Sequence, residues 1–518
     1  MTEVRRVESP VVEPAELTYP TGFSRKLPLP HLPLRISERK LLLAFLDLMA
    51  LSLALLVVLK LRFGYAFSPS TTLAHPGWFV LLFALWLPIA LAFDAYELRT
   101  ASSWSSSAKT VLKAGGISLT LYLLIPRITP HLVRSRLTIF LFLVTGLAFL
   151  TVGRLAYSLA LAQPAFRRRV LIVGAGWAGR TILNAIQKHG NGLYQVIGFV
   201  DDDPAKLGKG VWEQRDERTE GQGGRGAEGG APQHPRTSAS LRVLGNRHSI
   251  KELVATYGIS ALVLAITHEV NGELLQILMD CLELGVEVIP MPVLYEQLTG
   301  RVPIEHIGDN WYVAMPIQHP GSSALYPLLK RLMDIVLASL GLFLLGLALP
   351  VIALAIYLDS PGPIFYTQKR VGKGGKIFKV YKFRTMIPGA EKGKAVWAQE
   401  NDPRVTRVGR FLRKTHVDEF PQFLNILKGE MSAVGPRPER PEFVEELAEE
   451  IPFYRVRHAV KPGMAGWALV KYGYASSKED AAIKLQYDLY YIKHQSLWLD
   501  IVILIKTILD TITFKGRA

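Results

Sequence analysis

Cysteine is almost absent from this chain of 518 residues: Cys281 stands alone. No intrachain disulfide can form, and a reducing compartment is the natural reading. Acidic residues are the scarcer sign, 44 Asp and Glu against 60 Lys and Arg, for a formal net charge of +16. Such an excess suits nucleic acid, anionic lipid or phosphorylated substrates. Internal repeats are lacking, and no cleavable secretory signal is expected, because the first forty residues are polar and Pro-rich. Long uncharged apolar runs, by contrast, are plentiful. They make lipid and phosphates the expected partners, and nucleic acid is not expected.

Four such runs come first, near Leu41 to Leu61, Trp78 to Phe93, Val111 to Pro126 and Leu137 to Leu161. Each approaches the roughly 20 residues a membrane helix needs, although the third is short and holds Gly115 and Gly116. A region of four transmembrane helices over 41–161 is therefore expected, after a tail over 1–40. A soluble bundle of four buried helices is the alternative. Asp47, Lys60, Lys113 and Arg154 fall inside the runs; those near the ends can snorkel, and the others should face neighbouring helices. The tail is basic (Arg5, Arg6, Arg25, Lys26, Arg35, Arg39, Lys40), and Arg167 to Arg169 follow the fourth run, so both ends are expected in the cytoplasm.

Alternating β/α patterning follows over 167–300. Strands are expected at Val170 to Val173, Val196 to Val200, Leu241 to Leu244, Ala261 to Ile266 and Val286 to Ile289, with helices at Gly179 to Lys188, Ile250 to Tyr257 and Leu274 to Leu284. This predicts a doubly wound, Rossmann-like α/β domain. The stretch 212–240, rich in Gly, Arg, Glu and Gln, should be a disordered insertion. Gly174, Gly176 and Gly179 sit between the first strand and helix, with Asp201 ending the next strand. The glycines would let backbone approach a pyrophosphate and the carboxylate bind a ribose hydroxyl, so a nucleotide is the candidate ligand; a turn retained for regulation or assembly is the alternative. Asp201 to Asp203 also mimic a metal-binding Asp-x-Asp pair, but the glycine loop accounts for their placement.

A further apolar run, Ile335 to Tyr357, carries no charge and contains Pro350, which should kink or break its helix. From Ser360 to Phe420 fourteen Lys and Arg face five Asp and Glu. Amid this positive field lies His416-Val-Asp418-Glu419-Phe-Pro-Gln422. Flanking cations hold a carboxylate ionised and can bind a substrate's phosphates. Aspartate can attack phosphorus to form an acyl phosphate, and a neighbouring carboxylate can hold Mg²⁺. Adjacent helical residues point about 100° apart, so Asp418 and Glu419 should take different roles. A dipole-stabilising pair at a helix start is the plainer reading. The chain closes on Trp498 to Ile505, a mixed apolar helix suited to lying on a membrane or packing on a neighbour.

The wider segment Leu412 to Pro438 resembles the signature of the bacterial sugar transferases, the monotopic polyprenyl-phosphate phosphoglycosyl transferases. So do Asp359 to Gln368, Lys382 to Met386, Lys461 to Trp467 and Tyr487 to Ile492, in order over about 328–518. The front half is similar to the large subgroup of that family, which initiates capsule, exopolysaccharide or O-antigen assembly. The resemblance implies a re-entrant membrane helix with a mainly α-helical catalytic domain over 324–518, on the cytoplasmic face of a bacterial inner membrane. It implies that Asp418 attacks the β-phosphate of a UDP-sugar, expels UMP and passes the phosphosugar to undecaprenyl phosphate. Glu419 would help to hold Mg²⁺, and Arg413, Arg437, Pro438, Lys382 and Arg384 would bind phosphates and substrate. A homodimer through the membrane and α/β regions is expected. Three positions depart from the pattern: Leu349 where Ser is common, Glu430 for Asp, and Leu469 for Gln.

Two rivals share parts of this layout. A nucleotide-sugar dehydratase or epimerase needs a Tyr-x-x-x-Lys pair beside a nicotinamide; Tyr326/Lys330 and Tyr474/Lys478 have the spacing but lie outside the α/β domain. A non-catalytic assembly protein would bind nucleotide alone and tolerate loss of Asp418.

Overall fold

The computed structural model describes residues 36–64, 74–97, 100–101, 103–125, 129–130, 136–161, 167–190, 193–210, 241–266, 271–304, 325–390, 402–473 and 477–512. The basic tail up to residue 35 and the expected insertion 212–240 lie outside them.

Four helices occupy the four apolar runs: α1 (Ile36–Phe63), α2 (Gly77–Ala92), α3 (Trp104–Leu123) and α4 (Arg136–Leu161). They pack as one group, α1 and α3 both lying against α4 and α2 against α3. By length and composition, three described helices could cross a membrane: Glu38–Arg62 of α1, Arg136–Leu159 of α4, and Leu325–Asp359. α2 is apolar but has only 16 residues; α3, with Lys109 and Lys113 in its first half, is not among the three. The two charges expected to face neighbours do so. Asp47 and Arg154 are buried, with Nε–Oδ1 and Nη2–Oδ2 distances of 3.0 and 2.6 Å. Arg154 also donates from Nη1 to the Ala95 carbonyl at 2.5 Å.

The α/β part forms as its pattern predicts. β1 (Arg168–Val173), β2 (Tyr194–Val200), β3 (Val243–Gly245), β4 (Ala261–Leu264) and β5 (Glu287–Pro290) make a parallel sheet of order β3-β2-β1-β4-β5. Alternate residues of a strand face opposite sides. Val170 and Ile172 therefore join Ile182 and Ile186 of α5 (Trp177–His189) and Leu294 of α8 (Met291–Thr299). Leu171 and Val173 join Leu253 of α6 (Ile250–Tyr257) and Leu278 of α7 (Gly272–Glu283). Helices thus cover both faces, which explains why Val170 to Val173 and Ala261 to Leu264, in the central strands, are apolar without alternation.

The run around Pro350 lies in α9 (Leu325–Asp359), a helix of 35 residues with Pro350 inside it. Of the expected kink or break, the break does not occur. A proline forfeits one backbone hydrogen bond, but here packing spans the defect. Leu342, Leu345, Leu349, Ile352 and Ile356 fall on one stripe on both sides of Pro350, against Phe383, Val408, Leu412 and Phe420. Leu349, the first departure from the pattern, is part of that stripe.

The remaining elements are β6 (Phe365–Val371) and β7 (Ile377–Phe383), an antiparallel hairpin; α10 (Arg407–Lys414); a 3₁₀ helix Val417–Gln422; α11 (Phe423–Lys428); β8 (Ser432–Val434), parallel to β9 (Gly463–Ala465); α12 (Pro441–Glu450); a 3₁₀ helix Tyr454–Ala459; α13 (Trp467–Lys471); α14 (Lys478–Lys493); and α15 (Leu497–Ile512). The closing apolar helix packs rather than lying free: α15 lies against α2, with Val502 and Ile503 buried. Lys506 reaches Asp94 at 2.6 Å, and Lys471 reaches Asp94 and Glu97 at 3.3 and 2.8 Å.

Burial leaves one pH signature here. His458 is pushed down to about 4 by burial, with Arg457 and Arg455 adding repulsion. An unfolded histidine protonates near pH 6.5 while this one resists until about 4, so its contribution to stability is lost as pH falls through that window. His458→Gln is therefore expected to show a smaller fall in melting temperature than the parent between pH 7 and pH 5. An equal fall would rule this histidine out as the cause.

Candidate active site

Asp418 and Glu419 sit on the 3₁₀ helix Val417–Gln422, both about 4 % exposed. The turn is set by His416, which takes the left-handed conformation at φ 57°, and by Pro421 inside it. Such backbone is uncommon outside glycine and is held by its surroundings. Leu412 of α10 and Phe420 anchor the turn on either side in the cluster shared with α9.

The two carboxylates have different surroundings, as their adjacency predicts. Glu419 is clamped: Lys382 Nζ lies 2.9 Å from Oε1, and Arg437 donates to both oxygens, at 2.5 Å (Oε1) and 3.1 Å (Oε2). This fork geometry is the strong form of an ion pair. Lys382 comes from β7 and Arg437 from the turn after β8, so three elements far apart in sequence meet at Glu419. Burial lowers the pKa of Lys382; the Glu419 and Asp418 carboxylates oppose it and Arg437 and Arg370 reinforce it. Asp418 is thus within electrostatic reach of Lys382, and its Oδ1 is a buried oxygen that no described donor reaches.

The other expected ligands are placed less directly. Arg413, in the last turn of α10, donates from Nε to Thr385 Oγ1 at 2.8 Å. Gly409 packs α10 onto that same Thr385; a Cβ there would lie 2.1 Å from the Thr385 carbonyl oxygen. Arg384 is buried and donates to the backbone carbonyls of Ser360 and Pro361, which ties the end of α9 to β7. Its guanidinium is engaged there as a strut. The Pro438 carbonyl accepts from Arg370 at 2.9 Å.

Three contributors were not among the expected site residues. Arg370, within the basic run after α9, is buried, and its pKa is lowered by burial with Arg437 and Arg440 reinforcing and Glu439 and Glu419 opposing. Arg457 donates to the Arg437 carbonyl at 2.9 Å and to Asp488 at 2.9 Å, and so fixes the backbone that carries Arg437. Burial pushes Asp488 up to about 6, against Arg457 and Lys484. Asp488 lies in the quoted Tyr487 to Ile492 motif; nothing in the sequence singled out Arg457. Glu430, another departure, accepts from Asn425 Nδ2 at 2.7 Å, and Asn425 also bonds Lys379 and Tyr381 of β7. Leu469, the third, lies half-buried on α13.

The glycine loop lies on the α/β sheet. Gly174 has φ 108°, and a Cβ on it would meet the Ala265 carbonyl oxygen at 2.7 Å; a Cβ on Gly179 would meet that of Gly174 at 2.1 Å. Space above Gly176 is open. Asp201 accepts from the Ala175 N–H at 2.7 Å and pairs with Lys206 at 3.2 Å, so its carboxylate braces the loop. Asp202 pairs with Arg247, and Asp203 caps Ala205, consistent with a strand-end turn. The Tyr326/Lys330 pair converges on the buried Asp500, at 3.1 and 2.8 Å, and is a packing cluster. Lys478 pairs with Glu446 and Glu450, and Tyr474 lies outside the described residues.

Among the described residues no group of three or more His, Cys, Asp and Glu could hold a metal ion. The donor set at the site is therefore the one carboxylate pair, which suits Mg²⁺ only in its habit of taking one or two carboxylates together with phosphate oxygens and water.

The family model described as bacterial sugar transferase matches residues 325–514. A UDP-N-acetylgalactosamine-undecaprenyl-phosphate N-acetylgalactosaminephosphotransferase of Aeromonas hydrophila is 44% identical over 248 residues, 48% of this chain and 57% of the relative. A UDP-glucose:undecaprenyl-phosphate glucose-1-phosphate transferase of Escherichia coli (strain K12) is 44% identical over 209 residues, 40% of this chain and 44% of the relative. The exopolysaccharide production protein PSS of Rhizobium leguminosarum bv. phaseoli is 40% identical over 198 residues, 36% of this chain and 97% of the relative. The chain thus spans about half the length of the first two.

Proposed function

Because this chain belongs to the bacterial sugar transferase family, we propose that it moves a sugar-1-phosphate from a UDP-sugar to undecaprenyl phosphate on the cytoplasmic face of a bacterial inner membrane. The observation that carries this reading is the asymmetric carboxylate pair: Glu419 clamped by Lys382 and Arg437, and the buried Asp418 beside it. Asp418 is the nucleophile. Its carboxylate oxygen attacks the β-phosphorus of the UDP-sugar, the bond to the bridging oxygen breaks, and UMP leaves with that oxygen. The phosphosugar is then held as an acyl phosphate. A phosphate oxygen of undecaprenyl phosphate attacks the same phosphorus, the carboxylate departs, and the lipid diphosphate sugar forms. Arg437, Arg370 and Lys382 supply positive charge where negative charge builds on the phosphoryl oxygens. Mg²⁺, held by Glu419 together with the diphosphate, would neutralise further charge. A nucleotide at Gly174 to Gly179, where Gly176 leaves open space at the start of α5, belongs to the same reading as a second, non-catalytic site.

The contacts of α9 support a re-entrant membrane helix. At roughly 1.5 Å per residue it is about 52 Å long, more than the roughly 30 Å of a bilayer core. Lys330 and Asp334 near its start contact Asp500 and Ser432, while Ile356 and Ser360 at its end contact Phe383 and Arg384. One folded unit touches both ends, which favours entry and exit by the same leaflet over a crossing. Four N-terminal spans, with α2 and α3 completing the group, and initiation of a surface polysaccharide fit the same picture.

The test is release of UMP by the purified full chain in detergent with Mg²⁺ and a panel of UDP-sugars. UDP-glucose, UDP-galactose and UDP-N-acetylgalactosamine are the first members, each with and without undecaprenyl phosphate. Lipid-dependent UMP from one donor is expected. Absence of UMP from every donor, with Asp418 unlabelled, would favour the assembly-protein reading.

Arg437→Lys tests the clamp. A lysine keeps the charge but loses the fork, so kcat/KM is expected to fall roughly 10- to 100-fold. Unchanged kcat/KM would mean that the bidentate contact is incidental.

A further inference from the structure

Cations converge a second time, away from the carboxylates. A cavity of about 330 Å³ at the start of α9 is lined by Lys330, Arg331, Lys373 and Lys461, with Pro327 and Val460 among its apolar walls; neither Asp418, Glu419 nor Arg437 lines it. Arg331 donates to the carbonyls of Ile426 and Leu427, each at 2.8 Å, at the end of α11. Lys461 reaches the same corner: a Cβ on Gly429 would lie 3.5 Å from Lys461 Nζ and 3.7 Å from Arg331 Nη2. Lys330 is neutralised by Asp500 at 2.8 Å. Asp334 uses one oxygen on the Ser432 hydroxyl and the Ala433 N–H. Lys373 rises exposed from the tip of the β6–β7 hairpin, and among the described residues neither it nor Lys461 forms an ion pair. Four cations against two carboxylates leave positive charge uncompensated. Burial lowers the pKa of Lys461, with Arg331, Lys373 and Lys330 reinforcing and Asp334 opposing, as expected of a site that gains by taking up an anion.

The surroundings indicate which anion. Leu325, Leu328 and Leu332 in the first turns of α9 are 63, 65 and 57 % exposed, and exposed apolar side chains continue to Leu354. The cations thus stand where an apolar face built for lipid begins, beside apolar walls. A phosphate ester with hydrocarbon chains satisfies both halves; a free phosphate satisfies one. We propose that this cavity binds the phosphate headgroup of an anionic membrane phospholipid, as a site separate from the reacting centre. Such a lipid would hold the start of α9, the hairpin tip and the loop before β9 at the membrane surface.

Native mass spectrometry of the full chain, titrated in mixed micelles with phosphatidylglycerol or phosphatidylcholine, reads the preference. Phosphatidylglycerol is expected to be retained at least about tenfold more tightly. The double variant Lys373→Gln/Lys461→Gln should lose that preference, and Lys373→Arg/Lys461→Arg should keep it. If the glutamine double variant does not fold, Lys373→Gln alone, at the exposed hairpin tip, should weaken the lipid roughly fivefold. Equal retention of the two lipids, or an undiminished preference in the glutamine variants, would overturn the site. Inorganic phosphate that displaces phosphatidylglycerol at comparable concentration would overturn the lipid assignment in favour of a free phosphate.

Discussion

Asp418→Asn is expected to lower lipid-dependent UMP release by at least about 10⁴-fold, the scale on which removal of a covalent nucleophile acts. The amide is nearly isosteric, so the 3₁₀ turn and its contacts should persist and the loss should fall on kcat. The nucleophile differs from its neighbour in a way that the two variants can separate. Glu419 has both oxygens in ion pairs, with Lys382 and Arg437. Glu419→Gln removes the carboxylate to which both cations are hydrogen-bonded, so its loss should include stability and substrate binding as well as turnover. Treatment of the wild type with a UDP-sugar alone, followed by intact mass measurement, should reveal a phosphosugar adduct that the Asp418 variant lacks. An Asp418→Asn protein that turns over like the parent, or an adduct that persists in it, would end the covalent mechanism.

Arg154→Ala is expected to cost about 3–5 kcal/mol of stability, the usual consequence of leaving one member of a buried ion pair behind. Asp47 and Arg154 are only 2 and 1 % exposed and are joined by two hydrogen bonds across α1 and α4. Replacement of both by leucine should recover most of the loss, because the helices then bury apolar surface and no lone charge. The damage should also travel. Arg154 holds the Ala95 carbonyl, inside the turn whose Asp94 and Glu97 receive Lys471 and Lys506 from the C-terminal half. Melting of the purified chain in detergent, followed by tryptophan fluorescence, would measure both effects. An Arg154→Ala protein as stable as the parent would show that the pair is dispensable and that α1 and α4 are held by apolar packing alone.

Much of this was legible in the chain. The four N-terminal helices, the parallel strands and the glycine turn appear where apolar runs, alternation and Gly174/Gly179 put them, because those signals depend on near neighbours. At Pro350 the expectation was a kink or a break, and the helix runs through without a break, with a packed stripe on both sides of the proline. The sequence did not anticipate that Arg384 braces Ser360 and Pro361, or that Arg457 positions the backbone of Arg437. A guanidinium reads the same in sequence whether it faces a phosphate or a carbonyl.

The sequence by itself determined which segments are apolar enough for membrane, which would alternate as strand and helix, and that Asp418 and Glu419 stand in a basic field. Those properties follow from composition and short-range periodicity. The tertiary structure alone decided which cations reach Glu419, that α15 closes back onto α2, and that a second group of lysines gathers at the start of α9. Each of these depends on residues tens to hundreds of positions apart, and only packing of the whole chain fixes which of many similar charges become neighbours.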